Sequence, residues 1–319
     1  MCSANDHGRT GAPATTAGGT LYAWLALSRL PFHTVGVLPF VLGAVLAWRQ
    51  SATFRWDVCA WGVLGVVLIL LSTYYAGEYW DQAEDTLAGR SGPSLFAGGS
   101  QVLQRGLLPR RAPLWASLAC LVLALGVGLI LQGGYRTGPW TLPLGLLGLL
   151  GGFFYSTRPL RWVRTGWGEL WIAFCYGWLP VAVGYYVQTA AIAPLVHWLA
   201  LPIGLTIFNV ILLNEFPDYP ADLATGKANL TVRLGRERAA RLYGLTSAGS
   251  GVGVWLSLRQ GSPRRFLWVG LPVLLLSLLL VLAVLQGRWR DRATLERLCA
   301  ANLAVNLGTT LSYILALAR

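Results

Sequence analysis

Acidic side chains crowd into two short stretches of a chain that otherwise contains few acids. Among 319 residues there are only 13 aspartates and glutamates. We define residues 78–85 as the first acidic window and residues 214–222 as the second. The two windows hold seven acids: Glu78, Asp81, Glu84, Asp85, Glu215, Asp218 and Asp222. Carboxylates gathered in this way need a cation, and oxygen ligands of this kind are those that Mg²⁺ prefers.

The spacing within the windows is that of one helical face. Asp81 and Asp85 are four residues apart, as are Asn214, Asp218 and Asp222, and residues four apart on a helix point the same way. Mg²⁺ usually takes one or two carboxylates and completes its shell with phosphate oxygens and water. Two facing sets of acids therefore predict a metal-bound diphosphate, and the alternative is that the acids pair with loop arginines.

Two prolines lie inside the second window. Pro217 and Pro220 each lack a backbone donor, and proline in a helix interior kinks or ends the helix. We therefore expect the helix to break here and to turn Asp218 and Asp222 toward a cavity.

The elements that carry these windows are predicted to be membrane helices. Hydrophobic residues make up 55% of the chain and charged residues 12%, and several apolar runs are long enough to cross a bilayer. We predict an all-α integral membrane protein with about nine spans around a central cavity that opens toward the cytoplasm. The predicted spans are residues 24–48, 57–77, 114–132, 139–156, 168–188, 194–214, 240–258, 267–286 and 299–317.

The net charge of +12 indicates membrane topology and anionic lipid rather than nucleic acid, because the arginines lie in short loops between apolar runs. With the N-terminus inside, roughly eighteen of the 25 basic residues fall on the cytoplasmic side, as the positive-inside rule requires. Both acidic windows fall on that side. We expect residues 1–20 to form a disordered tail and residues 21–319 a single membrane domain.

Two loops on the cytoplasmic side are longer than topology requires. They run from residue 78 to 113 and from residue 215 to about 238, and each has a pattern consistent with a short interfacial helix. Such loops could close over a cavity as a lid. The cysteines and histidines show no spacing typical of a zinc site.

The windows and their surroundings resemble the UbiA superfamily of membrane prenyltransferases, which carries two motifs of the form NxxxDxxxD. The second motif matches Asn214, Asp218 and Asp222, followed by Gly226-Lys227. The first motif has Gly77 where asparagine is expected, and Glu78 or Glu84 could compensate. Within the superfamily the chain is most similar to the 1,4-dihydroxy-2-naphthoate polyprenyltransferases of menaquinone synthesis. The stretches that support this are residues 96–106, 154–156, 168–170 and 184–189.

The resemblance implies a UbiA-like fold and Mg²⁺-dependent transfer of a polyprenyl group from an isoprenyl diphosphate to an aromatic acceptor. It implies catalytic roles for Asp81, Asp85, Asp218 and Asp222, with Asn214 and Glu78 as further metal ligands. Residues implied in substrate binding are Arg29, Arg90, Arg161, Lys227, Tyr155 and Glu169. Arg29 is a candidate for the acceptor carboxylate, and Tyr155 for an aromatic wall of the cavity. Glu169 is either a helix N-terminal charge or part of the acceptor site.

The implied location is a bacterial-type inner or plasma membrane, with the active site facing the cytoplasm. Three alternatives remain open at this point. The enzyme could use another aromatic acceptor, the acids could serve a cation transporter, or the chain could be an inactive lipid-binding homologue.

Overall fold

A computed structural model describes residues 17–90, 94, 96 and 98–318. This part of the chain is helical, without a β-strand, so the predicted all-α fold is confirmed there. The helices in chain order are α1 (Ala17–Leu27), α2 (Leu30–Ser51), α3 (Trp56–Trp80), α4 (Gln82–Arg90), α5 (Ala112–Leu129), α6 (Thr141–Ser156), α7 (Gly168–Ala173), α8 (Leu179–Thr189), α9 (Pro194–Ala224), α10 (Leu230–Leu234), α11 (Arg236–Arg259), α12 (Phe266–Leu285) and α13 (Arg292–Leu317).

Helices occupy all nine predicted span positions, but only seven helical segments of the described chain are both long and apolar enough to cross a membrane. They are Leu30–Ser51, Trp56–Trp80, Ala112–Gly134, Gly168–Thr189, Pro194–Ala224, Phe266–Leu285 and Arg292–Leu317. The predicted span 139–156 corresponds to α6, which has 16 residues. The predicted span 240–258 corresponds to α11, whose polar side chains face α9: Ser247 Oγ accepts a hydrogen bond from Asn209 Nδ2 at 2.8 Å.

The first predicted span is divided in two. Helix α1 ends at Leu27 and α2 begins at Leu30, while Arg29 adopts a left-handed backbone with φ of 46°. Pro31 explains the break, because it has no N–H for the carbonyl of Leu27 and its ring would clash with that carbonyl. The predicted tail, residues 1–20, overlaps α1 by four residues, since α1 begins at Ala17. Residues 1–16 lie outside the described part.

The expected break in the second acidic window is also wrong. Helix α9 runs without interruption from Pro194 to Ala224. Pro217 removes the hydrogen bond to the carbonyl of Leu213, but this carbonyl lies 3.8 Å from the Cys299 thiol of α13, which donates to it. Neighbouring segments can satisfy freed carbonyls in this way, which is how membrane helices tolerate proline. The continuous helix keeps the acids of the second window on one face.

The first acidic window lies at a junction. Asp81 is the residue between α3 and α4 and leaves helical geometry, with φ of −98° and ψ of 14°. The amide of Asp85 still donates to the carbonyl of Asp81 at 3.0 Å, so the chain bends without losing the helical register. Each of the two long loops contains a short helix, α4 in one and α10 in the other, as predicted.

A loop that we call the strap, residues 98–106, packs against the α3–α4 junction. Gly98 and Gly99 have φ of +74° and +66°, a region that glycine enters at no steric cost. The side chain of Gln101 reaches back to α4, where Nε2 donates to the carbonyl of Asp85 at 2.7 Å. The strap is therefore attached to the first acidic window by its own polar contacts.

A π-helical turn interrupts the segment between α7 and α8. It spans Phe174–Trp178, and such turns are frequent at functional sites. The turn places Cys175 and Tyr176 in the wall of the cavity described below. Tyr176 also lies within 3.5 Å of the Tyr74 hydroxyl, which ties this wall to α3.

Candidate active site

Both acidic windows line one cavity of about 240 Å³. The first window contributes three acids, the second contributes Asn214 and three acids, and two cations complete the charged wall. These residues are Glu78, Asp81, Asp85, Asn214, Glu215, Asp218, Asp222, Arg29 and Lys227. The rest of the lining is mostly apolar, aromatic or glycine and includes Tyr155, Tyr74 and Tyr176, with Thr73 and Ser156 as further polar residues. The cavity thus has a charged part next to an aromatic part.

Asp81 is clamped through both carboxylate oxygens. Its Oδ1 lies 2.9 Å from Arg161 Nη2, and its Oδ2 accepts a hydrogen bond of 2.5 Å from Ser156 Oγ. Burial raises the pKa of Asp81, and the charge of Lys227 and the bonds from Ser156 and Arg161 only partly oppose this rise. The neighbouring groups of the protein therefore compensate the negative charge of the Asp81 carboxylate only in part, and an added cation would stabilise it further.

Asp85 is the least compensated acid of the first window. No ion pair or hydrogen bond to its carboxylate is present among the described residues. Burial, and then repulsion from Glu78, raise the pKa of Asp85 well above its usual value, although Arg29 and Lys227 draw it down. A buried carboxylate in this position favours either a proton or an added cation.

Glu78 is engaged by the strap and by the break between α1 and α2. Its Oε1 lies 3.0 Å from Arg29 Nη2 and accepts from the amide of Ser100 at 2.9 Å. Its Oε2 accepts from Ser100 Oγ at 2.7 Å. Burial lowers the pKa of Arg29, but Glu78 and Asp85 outweigh this and hold it above its usual value. With both oxygens occupied, Glu78 anchors the strap.

Glu84 is also held by arginines. Its Oε1 lies 3.1 Å from Arg164 Nη1 and 3.5 Å from Arg161 Nη2. Glu84 is buried but does not line the cavity. The predicted alternative, in which acids pair with loop arginines, thus describes Glu84, and arginines also pair with Glu78 and Asp81.

Besides Glu215, the second window presents Asn214, Asp218 and Asp222 to the cavity from one face of α9. Asn214 Oδ1 is buried and has no hydrogen-bond partner among the described residues. Asp218 Oδ2 accepts from the amide of Gly98 in the strap at 3.0 Å. Asp222 Oδ1 lies 3.2 Å from Lys227 Nζ, and its Oδ2 accepts from Asn229 Nδ2 at 2.7 Å. The strap therefore touches both windows.

Lys227 is the cation that faces both windows. Burial lowers the pKa of Lys227, but Asp222 first, and then Asp81 and Asp218, raise it above its usual value. The ammonium is therefore charged at neutral pH. It offsets part of the negative charge that the cavity would otherwise leave unopposed.

The other predicted substrate residues have different placements. Tyr155 lines the cavity. Arg161 contacts Asp81 but is not part of the lining, and Arg90 ends α4 away from the cavity wall. Glu169 lies in the first turn of α7, is buried, and its Oε1 accepts from the amide of Leu230 at 2.6 Å. Its Oε2 is buried without a hydrogen-bond partner among the described residues, so both predicted roles of Glu169, the helix N-terminal charge and the acceptor site, stay predictions.

Sequence reasoning did not assign roles to Ser156, Gly98 or Asn229. Asn229 follows Asp222 by seven residues, and nothing in the sequence between them indicated that the two side chains would be in contact. Ser156 lies 75 positions from Asp81, and Gly98 lies 120 positions from Asp218. Contacts of this range become visible only when the helices are packed.

The donor chemistry of the cavity fits Mg²⁺. Hard oxygen donors converge on it from two helices, and the Asn214 Oδ1 is buried without a described partner. Among the described residues no group of three or more acid, cysteine or histidine side chains is close enough to hold a metal alone.

The helices and their charged cavity define an integral membrane protein of the helical class. Residues 37–305 match the UbiA prenyltransferase family. The chain therefore belongs to this family and is a prenyltransferase.

Curated relatives and a solved structure extend this assignment. The chain is 28% identical over 234 residues to a 1,4-dihydroxy-2-naphthoate octaprenyltransferase of Mycobacterium tuberculosis, covering 72% of this chain and 75% of the relative. It is 26% identical over 293 residues to the enzyme of that name from Escherichia coli, with 89% and 92% covered. The fold matches a UbiA homologue from Archaeoglobus fulgidus bound to GPP and Mg²⁺, with a TM-score of 0.66, 15% identity, and 92% and 99% covered.

Proposed function

We propose that this protein transfers a polyprenyl group from an isoprenyl diphosphate to 1,4-dihydroxy-2-naphthoate, with Mg²⁺ as the cofactor. The observation that carries the proposal is the single cavity lined by both acidic windows, Lys227 and Arg29. The names of the octaprenyltransferase relatives support the acceptor, and the Mg²⁺ and GPP of the archaeal homologue support the cofactor and donor class.

The charged part of the cavity is suited to a diphosphate. Asp81, Asp85, Asn214, Asp218 and Asp222 would hold Mg²⁺ between them. When bound, Mg²⁺ supplies Lewis-acid stabilisation of the leaving diphosphate. The Lys227 ammonium points at the same region and adds a fixed positive charge where negative charge develops.

The aromatic part of the cavity is suited to the reacting carbons. As the donor C1–O bond breaks, positive charge develops on the allylic carbon, and the Tyr155 ring face can stabilise it. The acceptor ring carbon that bears the carboxylate then forms the new C–C bond. Its carboxylate leaves as CO₂, and the electron pair of that bond restores the aromatic ring. Arg29, held by Glu78, is placed to receive the acceptor carboxylate.

The polyprenyl tail needs an apolar route from the charged part. A second cavity of about 90 Å³ shares Thr73, Gly152, Cys175 and Tyr176 with the first. Apart from Thr73 and Tyr176, its lining consists of apolar residues, glycine and cysteine. We assign the distal isoprene units of the donor to this second cavity.

The strap is suited to keep water from the allylic cation. It contacts Glu78 through Ser100 and Asp218 through Gly98, so it spans the two windows. Water excluded from the site cannot compete with the acceptor ring. The cytoplasmic orientation of the cavity rests on the distribution of basic residues.

An assay of purified protein with Mg²⁺ tests the proposal. The protein is offered a panel of prenyl diphosphates with dihydroxynaphthoate and other aromatic acceptors, and mass spectrometry identifies the products. We expect a product with the mass of the prenylated ring after loss of CO₂. Asp81→Asn and Asp218→Asn should abolish it while the protein remains folded in detergent. If the protein prenylates only another aromatic compound, the proposed acceptor is refuted. If both variants keep full activity, the proposed metal site is refuted.

A further inference from the structure

The two acidic windows differ in the residue that lies four positions before their first spaced aspartate. The second window reads Asn214, Asp218 and Asp222 at intervals of four residues. The same intervals in the first place Gly77 before Asp81 and Asp85. The second window thus brings a neutral side-chain oxygen one turn before its first aspartate. The first window has no side-chain oxygen at the corresponding position, because Gly77 has no side chain.

The two acids nearest to Gly77 do not fill this gap. Glu78 has both oxygens engaged by Arg29 and by Ser100. Glu84 is paired with Arg161 and Arg164 and does not line the cavity. Neither acid supports Asp81 from the side of Gly77, and the polar group on that side comes from α6.

Ser156, the last residue of α6, supplies an oxygen at this place. A Cβ built on Gly77 would lie 3.6 Å from Ser156 Oγ and 3.9 Å from Asp81 Oδ2. The Ser156 hydroxyl therefore borders the space that a side chain at position 77 would enter. Its Oγ donates to Asp81 Oδ2 at 2.5 Å, and the residue is 4% exposed.

The position of Ser156 is itself fixed. Its carbonyl accepts a hydrogen bond of 3.1 Å from Arg161 Nε, and the same guanidinium binds Asp81 Oδ1 through Nη2. Ser156, Arg161 and Asp81 form a closed ring of contacts between α6 and the α3–α4 junction. This ring holds the Ser156 backbone next to Asp81, within reach of its Oδ2.

We propose that Ser156 is a positioning residue of the first window: by donating a hydrogen bond to Asp81 Oδ2, it sets the orientation of the Asp81 carboxylate toward the bound ion. This inference rests on the proposed function, because it concerns the divalent ion that would hold the diphosphate. Groups that orient metal ligands typically change metal affinity by about 10-fold to 100-fold when removed.

The test measures Mn²⁺ binding by electron paramagnetic resonance in the presence of geranyl S-thiolodiphosphate, an unreactive donor analogue. Mn²⁺ accepts the same hard oxygen ligands as Mg²⁺. We expect Ser156→Ala to weaken Mn²⁺ binding by about 10-fold or more. The double variant Gly77→Asn/Ser156→Ala should recover most of the affinity, because a Cβ at position 77 lies 3.9 Å from Asp81 Oδ2 and the amide nitrogen there can donate to this oxygen in place of the Ser156 hydroxyl. Gly77→Asn alone should change little.

Ser72→Ala is the matched control. Ser72 is a fully buried serine of α3 that hydrogen-bonds Ser117 at 3.2 Å and does not line the cavity. It should lower the unfolding temperature without changing Mn²⁺ binding. Equal losses of binding in Ser72→Ala and Ser156→Ala would overturn the inference. So would unchanged binding in Ser156→Ala, or no recovery in the double variant.

The wild-type protein separates this inference from the proposed function. If wild-type protein binds Mn²⁺ with the analogue and Ser156→Ala binds equally well, only the role of Ser156 is refuted. If wild-type protein binds neither the ion nor the analogue, the proposed function is refuted with it.

Discussion

Lys227 Nζ lies 3.2 Å from Asp222 Oδ1, at the wall where the two acidic windows meet. Lys227 is the only lysine of the chain, so a local role can be tested without interference from other lysines. The ammonium is charged at neutral pH, because the surrounding carboxylates raise its pKa.

We expect Lys227→Met to lower kcat/KM for prenyl transfer by about 100-fold, because the loss of a single charge-stabilising donor has an effect of this size. Lys227→Arg should retain more activity than Lys227→Met, since it keeps the charge. Arg241→Met removes an exposed cation of α11 that does not line the cavity, and its kinetics should match the wild type. Equal activity of Lys227→Met and Arg241→Met would contradict the role of Lys227.

Gly99 of the strap leaves no space for a side chain. A Cβ at this position would collide with the Asp85 carboxylate. We expect Gly99→Ala to lower the transfer rate at least about 10-fold, because misplacing a reacting or binding group costs rate steeply. The measurement is the initial rate at saturating Mg²⁺ and donor.

Gly106→Ala provides the control for this variant. Gly106 has φ of +67°, against +66° for Gly99, and a Cβ there would meet nothing within 4 Å. Both alanines carry the same left-handed strain, and only Gly99→Ala adds the collision with Asp85. If Gly106→Ala loses as much activity as Gly99→Ala, backbone strain and not the contact with Asp85 is responsible.

Local sequence pattern was sufficient to predict that two acidic windows lie at helix ends. Hydropathy located the helices, and the four-residue spacing located the face that carries Asp218 and Asp222. These features depend on residues close together in the chain, where periodicity is informative. We predicted that both windows line one cavity because an unpaired carboxylate beside a membrane is energetically costly.

The path of α9 could not be predicted in the same way. A proline in a helix interior usually ends or kinks the helix. Pro217 is tolerated because the Cys299 thiol donates to the freed carbonyl of Leu213, from which it is 86 positions away in the chain. The break at Arg29 was likewise missed, although Pro31 carried the signal for it. Arg161 was predicted to bind substrate, yet its guanidinium is directed to Asp81 and to the Trp80 carbonyl. Tertiary packing decided the path of α9 and the contacts of Arg161, whereas the break at Arg29 has a local cause.

The charge of Asp85 should make the metal-free protein sensitive to pH. Burial and Glu78 raise the pKa of Asp85 well above its usual value, so the folded state binds a proton more tightly than the unfolded state. Stability should therefore fall as pH rises from about 4 through the folded pKa. Asp85→Asn should reduce this dependence and raise the unfolding temperature at pH 8, while abolishing transfer. Unfolding measured across pH 5–8 in EDTA provides the check, and identical profiles for the two proteins would contradict the prediction.

Gly145 lines the second cavity, and a Cβ there would meet nothing within 4 Å. Leucine at this position should fill part of the apolar space that we assign to the distal isoprene units. We expect Gly145→Leu to lower kcat/KM for long donors by about 10-fold and to leave the kcat/KM for geranyl diphosphate nearly unchanged, because a few lost methylene contacts correspond to 1–3 kcal/mol. Competition between donors of different length, read by mass spectrometry, gives the ratio directly. Gly126→Leu on α5 is the matched control, since a Cβ there also meets nothing within 4 Å and Gly126 lines neither cavity. If both variants shift the ratio between donors equally, the second cavity does not hold the tail, because Gly126 does not line it. A general effect of leucine on helix stability would leave that ratio unchanged.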